Sequence, residues 1–383
     1  MSFPLAFFLQ NWHELDFYLG GPDDFDKFPY SAPVAIVLGL LLAFFLHKAR
    51  KNYMALPELP VVSDERPANV TVIIPARNEE HNIAGCIRSF PHARVIVVDD
   101  HSEDRTARIA SENNAEVISA PVLKDGAMGK PNACFAGSQL AATTYIFFAD
   151  ADTRYRDEFL HSAVGYADEN QSVLVSGFLK QETVTLAEKM LLPYAFALYF
   201  TGVSARRVHD EKVPEYLANG QCMLFLRAAY EFIGGHMVVK DSVIEDVAMA
   251  MKLKRHRMKL NLVRAEHLGS VRMYDSLSAI WRGFKKNSFR FLRVNHRTGV
   301  QVVFSSILLT SVVPVAVWLA WEEQWGFLAA LLLLPPLMLK PWYGGFLRAL
   351  LAYPAIYLFQ LIALDGMISN LLGLRTSWKG RSV

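Results

Sequence analysis

Long apolar stretches lie near both ends of the chain, and short apolar runs alternate with polar segments between them. Residues 31–47 are uncharged and, with their flanks, match the length of about 20 residues that one helix needs to cross a bilayer. Residues 298–374 hold two uncharged runs and a third apolar stretch, which Arg348 and Asp365 interrupt. This pattern predicts one N-terminal and two to three C-terminal transmembrane helices.

Charges beside the first stretch predict its orientation. Residues 1–30 are acidic, whereas Lys48, Arg50 and Lys51 follow the stretch. Because basic flanks face the cytoplasm, we expect an extracytoplasmic N-terminus and a cytoplasmic middle segment. A cleaved signal peptide is disfavoured, since no basic region precedes the run. The basic tail, 375–383, prefers the cytoplasm, which leaves open whether the third C-terminal stretch spans, re-enters or lies in the interface.

The middle segment, 66–275, alternates short β-branched runs with amphipathic charged segments. The runs predict strands at 70–74, 95–98, 115–120 and 145–148, and the segments predict helices at 79–90, 104–113 and 130–142. Strands and helices that alternate at this spacing predict a mostly parallel, Rossmann-like α/β sheet covered on both faces.

Composition narrows the class of protein. Hydrophobic residues make up 52% of the 383 residues and charged residues 20%, which is too apolar for an ordinary soluble enzyme. A formal net charge of +2 indicates neither nucleic-acid binding nor acidic disorder. The 3 cysteines lack zinc-like or CxxC spacing, which argues against a disulfide scaffold and a structural zinc site.

Polar clusters follow three of the predicted strands, at the sheet edge where α/β folds of this kind bind ligands. They contain Pro75, Arg77, Glu79, Asp99, Asp100, Asp150 and Asp152. No GxGxxG follows the first strand and no GxxxxGK[ST] occurs, which disfavours a dinucleotide oxidoreductase and a P-loop nucleotidase.

Asp150 and Asp152 flank one small residue at a strand end. Such a pair suits a hard divalent cation whose other ligands are phosphate oxygens and water. A helix cap plus a surface acid is the alternative interpretation. The metal site is favoured because two other polar clusters also follow predicted strands, at the same edge of the sheet.

A second acidic pair, Glu245 and Asp246, opens a predicted helix. Acids in that position often only compensate the helix dipole. The functional interpretation makes this pair catalytic, with one carboxylate as the general base that removes a proton from an acceptor hydroxyl. It is favoured because an inverting sugar transfer needs such a base opposite the leaving diphosphate.

Three further residues are candidates for the same site. Lys130 opens the third predicted helix and suits a phosphate, and Arg77 is a second phosphate partner. His236 follows two glycines shortly before the acidic pair and is a candidate next to the donor. A solvated lysine and a structural histidine are the alternatives.

Residues 276–297 combine helical apolar spacing with many basic side chains. A basic amphipathic helix of this kind lies flat on an anionic leaflet, so inner-leaflet anionic lipids are expected partners. A nucleic-acid groove is disfavoured, because the segment leads into a membrane span. Residues 186–199 are also strongly apolar and fit either a lipid-facing helix or a core helix.

Segments 72–79, 97–102, 129–130, 150–152 and 245–246 together resemble, in order and spacing, the family 2 inverting glycosyltransferases with the GT-A fold. Within that family the chain looks most like membrane-anchored bacterial enzymes of the carotenoid-glucosylating kind, as in the staphyloxanthin pathway. The resemblance implies a UDP-sugar donor, Mg²⁺ or Mn²⁺, and a lipid acceptor presented from the inner leaflet of the bacterial cell membrane.

The resemblance also implies roles for single residues. Pro75, Glu79 and Asp99 or Asp100 would hold the uridine, and Asp246 would be the base. Asp150 and Asp152 would bind the metal diphosphate. No (Q/R)xxRW motif follows Asp246, which argues against a polymer-extruding synthase. The cation that stabilises the leaving diphosphate is therefore open, and the candidates are Arg282, Lys285 and Lys286.

Two other functions remain as alternatives. One is transfer to a polyprenyl phosphate, whose anionic acceptor needs little help from a base. The other is a non-catalytic membrane protein, either a scaffold built on a transferase domain or a small transporter. Transport is disfavoured, because almost all charges lie outside the apolar stretches.

Overall fold

The computed structural model describes residues 29–63, 69–123, 128–242, 244–294, 296–372, 377–378 and 381–382. The predicted acidic segment 1–30 lies almost entirely outside these residues, as does most of the predicted basic tail.

The strands form one large sheet and two small ones. In chain order they are β1 (Val70–Ala76), β2 (Arg94–Asp99), β3 (Glu116–Ser119), β4 (Tyr145–Ala149), β5 (Thr153–Tyr155), β6 (Leu174–Phe178), β7 (Lys180–Gln181), β8 (Cys222–Leu226), β9 (Leu260–Arg264), β10 (Gly269–Val271), β11 (Ser377–Trp378) and β12 (Arg381–Ser382).

The 7-stranded sheet has the order β3-β2-β1-β4-β8-β6-β9. Its neighbours are parallel except at β8, which is antiparallel to both β4 and β6. A second sheet, β5-β10-β7, lies where β4 and β6 end. The mostly parallel α/β sheet predicted from the sequence is therefore confirmed.

Helices cover the sheet and form the segments predicted to cross a membrane. In chain order they are α1 (Ser31–Met54), α2 (Ile83–Ile87), α3 (Thr106–Glu112), α4 (Gly129–Ser138), α5 (Phe159–Asn170), α6 (Leu186–Gly202), α7 (Ala205–His209), α8 (Arg227–Phe232), α9 (Glu245–Arg255), α10 (Leu277–Val294), α11 (His296–Thr310), α12 (Val312–Trp321), α13 (Trp325–Tyr343), α14 (Phe346–Ala349) and α15 (Ala352–Leu371). A 3₁₀ helix spans Gly235–Val239.

The predicted strands lie where expected, but the predicted helices were too long. The helix predicted at 79–90 is reduced to α2, because Asn78 has a left-handed backbone and the Glu79 carbonyl closes a turn onto Asn82 and Ile83. The helix predicted at 130–142 ends at Ser138, where the chain turns toward β4. Apolar side chains on both faces explain why the strands were easier to locate, since β1 and β4 are buried throughout almost their whole length.

Within the described residues, four helical stretches are long and apolar enough to cross a membrane, and they are Ser31–Met54, Thr298–Trp321, Trp325–Tyr343 and Phe346–Leu371. The first two lie side by side in opposite directions, since Lys48 Nζ donates to Gln301 Oε1 (2.9 Å) and the Ser31 backbone donates to Glu322 Oε2 (3.1 Å). Helix α6 packs beside α1, with Leu191, Tyr194 and Leu198 buried in the same cluster as apolar residues of α1. Most of residues 186–199 are thus core, whereas Leu186 and Lys189 are exposed.

The last apolar stretch ends on the side of α10. The Tyr357 hydroxyl donates to the Thr310 carbonyl in the middle of a span, whereas Asp365, two turns later, accepts from Trp281 Nε1 (2.7 Å) and Lys285 Nζ (2.8 Å) of α10. Strand β11 also contacts α10. The end of the last apolar stretch therefore packs against the predicted amphipathic helix.

Candidate active site

The loops that follow β1 and β2 are fixed against each other by Arg77. Its Nη1 donates to the carbonyl oxygens of Asp100 (2.7 Å) and His101 (3.1 Å), and the Asp100 amide donates to the Ala76 carbonyl (2.8 Å). The Glu79 amide donates to Thr106 Oγ1 (2.7 Å) at the start of α3. Arg77 therefore shapes the loops, although its side chain was predicted to bind phosphate.

The turn after β4 presents Asp150 and Asp152. The Asp150 carbonyl accepts from the amide (3.2 Å) and the hydroxyl (2.6 Å) of Thr153, and Cys86 Sγ lies 3.4 Å from the same oxygen. This tight turn directs both carboxylates into one cleft. Two carboxylates side by side fit a hard divalent ion that takes its remaining ligands from a diphosphate and water. Among the described residues, no third acid, histidine or cysteine completes a metal cluster with them.

Lys130 links the two acidic pairs. Its Nζ lies 2.6 Å from Asp150 Oδ1 and 2.8 Å from Glu245 Oε1. Burial acts to lower the pKa of Lys130, but the two carboxylates outweigh it and raise this pKa well above its ordinary value. Burial likewise acts to raise the pKa of Glu245, yet the charge of Lys130 prevails and lowers it. Lys130 and Glu245 therefore form an ion pair in the floor of the cleft.

Asp246 is held beside this ion pair by backbone amides. Its Oδ2 accepts from the Gly220 amide (2.7 Å) and its Oδ1 from the Val247 amide (2.8 Å) at the start of α9. Burial, together with the negative charge of Glu245, raises the pKa of Asp246 to about 7. A carboxyl with a pKa near the working pH is suited to accept a proton during a reaction.

Gly220 is a glycine for steric reasons. A Cβ atom at this position would lie 3.1 Å from Lys130 Nζ and 3.2 Å from Asp246 Oδ2. A side chain at this position would therefore push against both charged groups, which must shift by a few tenths of an ångström to admit it.

These groups line one cleft of about 380 Å³ at the carboxyl ends of β1 and β4. Ten of the residues predicted for the site lie in its wall, and they are Pro75, Arg77, Glu79, Asp100, Lys130, Asp150, Asp152, Glu245, Asp246 and Lys286. The cleft thus brings together the strand-end clusters, both acidic pairs and one cation of α10.

The amphipathic helix closes one side of the cleft. Tyr274, just before α10, lines the cleft, and a Cβ atom at Gly283 would lie only 2.2 Å from its hydroxyl oxygen. Lys286, about one turn beyond Gly283, lines the cleft as well. The acidic site therefore borders directly on the helix expected to lie at the membrane surface.

Residues 71–234, which include β1, β4 and β8, match the family model described as glycosyl transferase family 2. This segment therefore matches a family 2 glycosyltransferase domain, and we name it the glycosyltransferase domain. A 4,4'-diaponeurosporenoate glycosyltransferase of Staphylococcus haemolyticus is 27% identical over 221 residues, which are 55% of this chain and 58% of that protein. The Staphylococcus aureus (strain USA300) protein of the same name is 25% identical over 228 residues, or 57% of this chain and 60% of that protein.

The aligned part thus spans about 60% of the length of these curated relatives. Among solved structures, a mannosyltransferase, PcManGT, from Pyrobaculum calidifontis in complex with GDP-Man and Mn²⁺ has a TM-score of 0.55 at 17% identity, covering 90% of this chain and 99% of that chain. This similarity concerns the fold, and the glycosyltransferase domain has the GT-A fold predicted from the sequence.

The structure does not place four predicted site residues in the wall of the cleft of the glycosyltransferase domain. Asp99 lies behind it and accepts from the Ser102 amide (3.2 Å). His236 is 0% exposed, because it packs on Phe148 and its Nδ1 lies 2.9 Å from the Tyr230 hydroxyl. Burial lowers the pKa of His236 to about 3, so this side chain is a neutral part of the core.

The other two residues belong to α10. Lys285 pairs with Asp365 and does not line the cleft. Arg282 is exposed and lies outside the cleft wall as well. Lys286 lies one turn after Gly283 and shares its face, whereas Lys285 lies on the face that contacts Asp365.

Sequence reasoning missed Asn219 and Gln221, which line the cleft of the glycosyltransferase domain on either side of Gly220. The Asn219 amide donates to Ser176 Oγ (2.7 Å), and its side chain donates to Gln221 Oε1 (3.3 Å). The signal was a polar, glycine-containing segment directly before an apolar run. It was overlooked because that run forms β8, the reversed strand, whose amino end rather than carboxyl end lies at the site.

Proposed function

We propose that this protein transfers a sugar from a UDP-sugar to a membrane lipid, with inversion at the anomeric carbon, at the cytoplasmic leaflet of a bacterial cell membrane. The observation that carries the proposal is Asp246, whose carboxyl is held by the Gly220 amide in the same cleft as Asp150 and beside α10, which we expect at the membrane surface. The family 2 domain and the bacterial relatives named for a carotenoid acceptor support it.

In the proposed reaction an acceptor oxygen forms a bond to the anomeric carbon as the bond from that carbon to the diphosphate breaks. Asp246 takes the proton from the acceptor hydroxyl, and the diphosphate leaves with the electron pair. Because Asp246 has a pKa of about 7, a large part of this carboxyl is ionised at neutral pH and able to act as the base.

The negative charge on the departing diphosphate must be offset. Lys130 Nζ lies 2.6 Å from Asp150 Oδ1, and Lys286 is a second cation that lines the cleft. Asp150 and Asp152 would hold Mg²⁺ or Mn²⁺, which supplies Lewis-acid stabilisation of the leaving group when bound. Pro75, Glu79 and Asp100 line the same cleft and would hold the nucleoside.

The experiment is to incubate purified protein with radiolabelled UDP-sugars, Mn²⁺ and bacterial lipid extract, and then to separate the lipids. We expect a labelled lipid from at least one UDP-sugar. A labelled lipid only from GDP-sugars would refute the donor assignment, and label in water-soluble products alone would refute the lipid acceptor. A product as acid-labile as a glycosyl phosphate would favour a polyprenyl-phosphate acceptor instead.

Substitution of Asp246 by Asn tests the proposed base. We expect the rate of transfer to a hydroxyl acceptor to fall roughly 10²- to 10⁴-fold with UDP binding nearly intact, because the amide cannot accept the proton. Asp241→Asn is a matched control, since Asp241 is exposed and lies outside the cleft. Undiminished turnover in the Asp246 variant would remove this residue from the mechanism.

A further inference from the structure

A second cavity lies between the glycosyltransferase domain and the membrane helices. Its volume is about 540 Å³. Its walls come from the β6–β7 edge of the domain, from α6, from the end of α1 and from the segment that joins α13 to α15. No element of the reaction proposed above uses this space.

The lining of this cavity combines apolar and cationic side chains. Leu192, Phe196 and Trp342 contribute apolar surface, and Lys180, Lys189 and Arg348 contribute positive charge. Glu266 is the acid in the wall, and its carboxylate accepts a hydrogen bond from the Tyr53 hydroxyl.

Two of these three cations form no salt bridge with an acidic residue in the part of the chain that the structure describes. Lys180 lies 3.0 Å from Glu182, but no carboxylate of the described residues forms a salt bridge with Lys189 or Arg348. An anion in the cavity would meet both charges together with an apolar wall. The cavity is therefore complementary to a molecule that is anionic at one end and apolar beyond it.

The position of the cavity identifies the source of such a molecule. Tyr53 is near the end of α1 and Tyr343 ends α13, so the cavity opens where two candidate spans end. Aromatic and basic side chains at the ends of spans mark the level of lipid headgroups. We propose that this cavity binds one anionic membrane lipid, with its phosphate between Lys189 and Arg348 and its apolar part against Leu192 and Trp342.

A bound lipid at this place would adjoin the reaction centre. Gln181 lines the cavity, and its Nε2 lies 3.4 Å from Oε1 of Gln221, which lines the active-site cleft. The next residue toward the N-terminus, Gly220, donates to Asp246. The lipid would thus hold the domain against the candidate spans. Two residues, Gln221 and Gly220, connect Gln181 in the cavity wall to the carboxylate of Asp246.

The test measures lipid binding directly, by native mass spectrometry of the detergent-solubilised full chain titrated with phosphatidylglycerol or phosphatidylcholine. We expect a one-to-one adduct with phosphatidylglycerol that is at least about tenfold tighter than that with phosphatidylcholine. The double variant Lys189→Gln, Arg348→Gln should bind phosphatidylglycerol roughly 20-fold more weakly, as expected from two lost cation contacts.

The matched control is Lys212→Gln with Arg206→Gln, which removes one lysine and one arginine from exposed positions outside the cavity. Its phosphatidylglycerol affinity should equal that of the wild type. If the first double variant unfolds, Lys189→Arg with Arg348→Lys keeps both charges and should retain binding. Equal affinity for the two lipids, or unchanged affinity in a folded Lys189 and Arg348 double variant, would overturn the proposal.

Inorganic phosphate is the third arm of the test. Millimolar phosphate should leave the phosphatidylglycerol adduct intact, and displacement by phosphate would instead assign the cavity to a soluble anion. Because this readout is binding, failure of the proposed sugar transfer leaves it unaffected. Stimulation of transfer by phosphatidylglycerol in nanodiscs, lost in the double variant, would extend the proposal to catalysis and rests on the proposed function.

Discussion

At the scale of single residues, the site depends on how charge is distributed among a few carboxyl groups. Glu245 and Asp246 are neighbours in sequence, yet Lys130 contacts Glu245 at 2.8 Å while Asp246 meets the Gly220 and Val247 amides. The pKa of Glu245 is therefore lowered and that of Asp246 is raised. One acid stays ionised, and the other is able to exchange a proton near neutral pH.

The raised pKa of Asp246 predicts the pH dependence of transfer to a hydroxyl acceptor. The base must be ionised, so the rate should fall as the pH drops below about 7, approaching tenfold per pH unit in the acid range. The measurement is kcat/KM for the acceptor between pH 5 and 9. A rate that is constant from pH 5 to 8 would contradict this assignment of the base.

The two carboxylates of Asp150 and Asp152 predict a dependence on divalent metal. A chelator should abolish transfer, and Mn²⁺ or Mg²⁺ should restore it. Asp152→Asn should raise the metal concentration needed for half-maximal rate by roughly tenfold or more, because a charged ligand is lost. Asp157→Asn, an exposed acid a few residues away, is the control and should behave like the wild type. Full activity in the chelator would exclude the metal site.

How far single residues could be predicted from sequence depended on how local their environment is. Asp150, Asp152 and Asp246 follow from the strand or helix that carries them. The contacts of Lys285 and His236 could not be predicted in this way. Lys285 binds Asp365, which is 80 residues away, and His236 packs on Phe148. Gln221 was missed for a related reason, since the direction of β8 is decided by its pairing with β4 and β6.

At the scale of elements, α10 joins the catalytic cleft to the membrane region. One face of this helix contributes Gly283 and Lys286 to the neighbourhood of Tyr274, and another face binds Asp365 through Trp281 and Lys285. The sequence predicted an amphipathic helix here, and periodicity alone was sufficient for that. It did not predict that the apolar face lies against α15, because the partner helix is distant in sequence.

The close approach of Gly283 to Tyr274 predicts the effect of a single added methyl group. Gly283→Ala places a Cβ where the Tyr274 hydroxyl now lies, so the helix or the tyrosine must move. We expect kcat/KM for the lipid acceptor to fall roughly 10- to 100-fold, as for other small displacements at an active site. Ser278→Ala, at an exposed position of the same helix, should have little effect. Equal activity of the two variants would show that α10 does not form part of the acceptor path.

At the scale of the whole molecule, the C-terminal group of apolar helices begins and ends next to α10, which borders the cleft. Helix α11 begins directly after α10, and the contacts of Asp365 and β11 bring the end of the chain back to α10. The hydrophobic pattern predicted where the apolar stretches lie. It left the course of the last stretch open, since length and composition do not specify which helices it contacts.

This arrangement predicts which residues share one side of the membrane. The three native cysteines are buried, so single cysteines can be introduced with little background. In intact cells, a membrane-impermeant maleimide should label Glu323→Cys, at the turn between α12 and α13, but neither Arg282→Cys nor Ser377→Cys. All three should react once the cells are opened. Labelling of Ser377→Cys together with Glu323→Cys would place the C-terminus on the opposite side from α10.

The bridge that Lys130 makes between Asp150 and Glu245 has a consequence for how the donor enters. The acidic cluster carries its own counterion, so its carboxylates need no metal to remain close together before the donor arrives. If Asp150 holds the proposed cation, that cation would displace the ammonium group of Lys130, which would then pair with the phosphates of the donor. The donor and its metal should consequently bind as a pair, each much more weakly without the other.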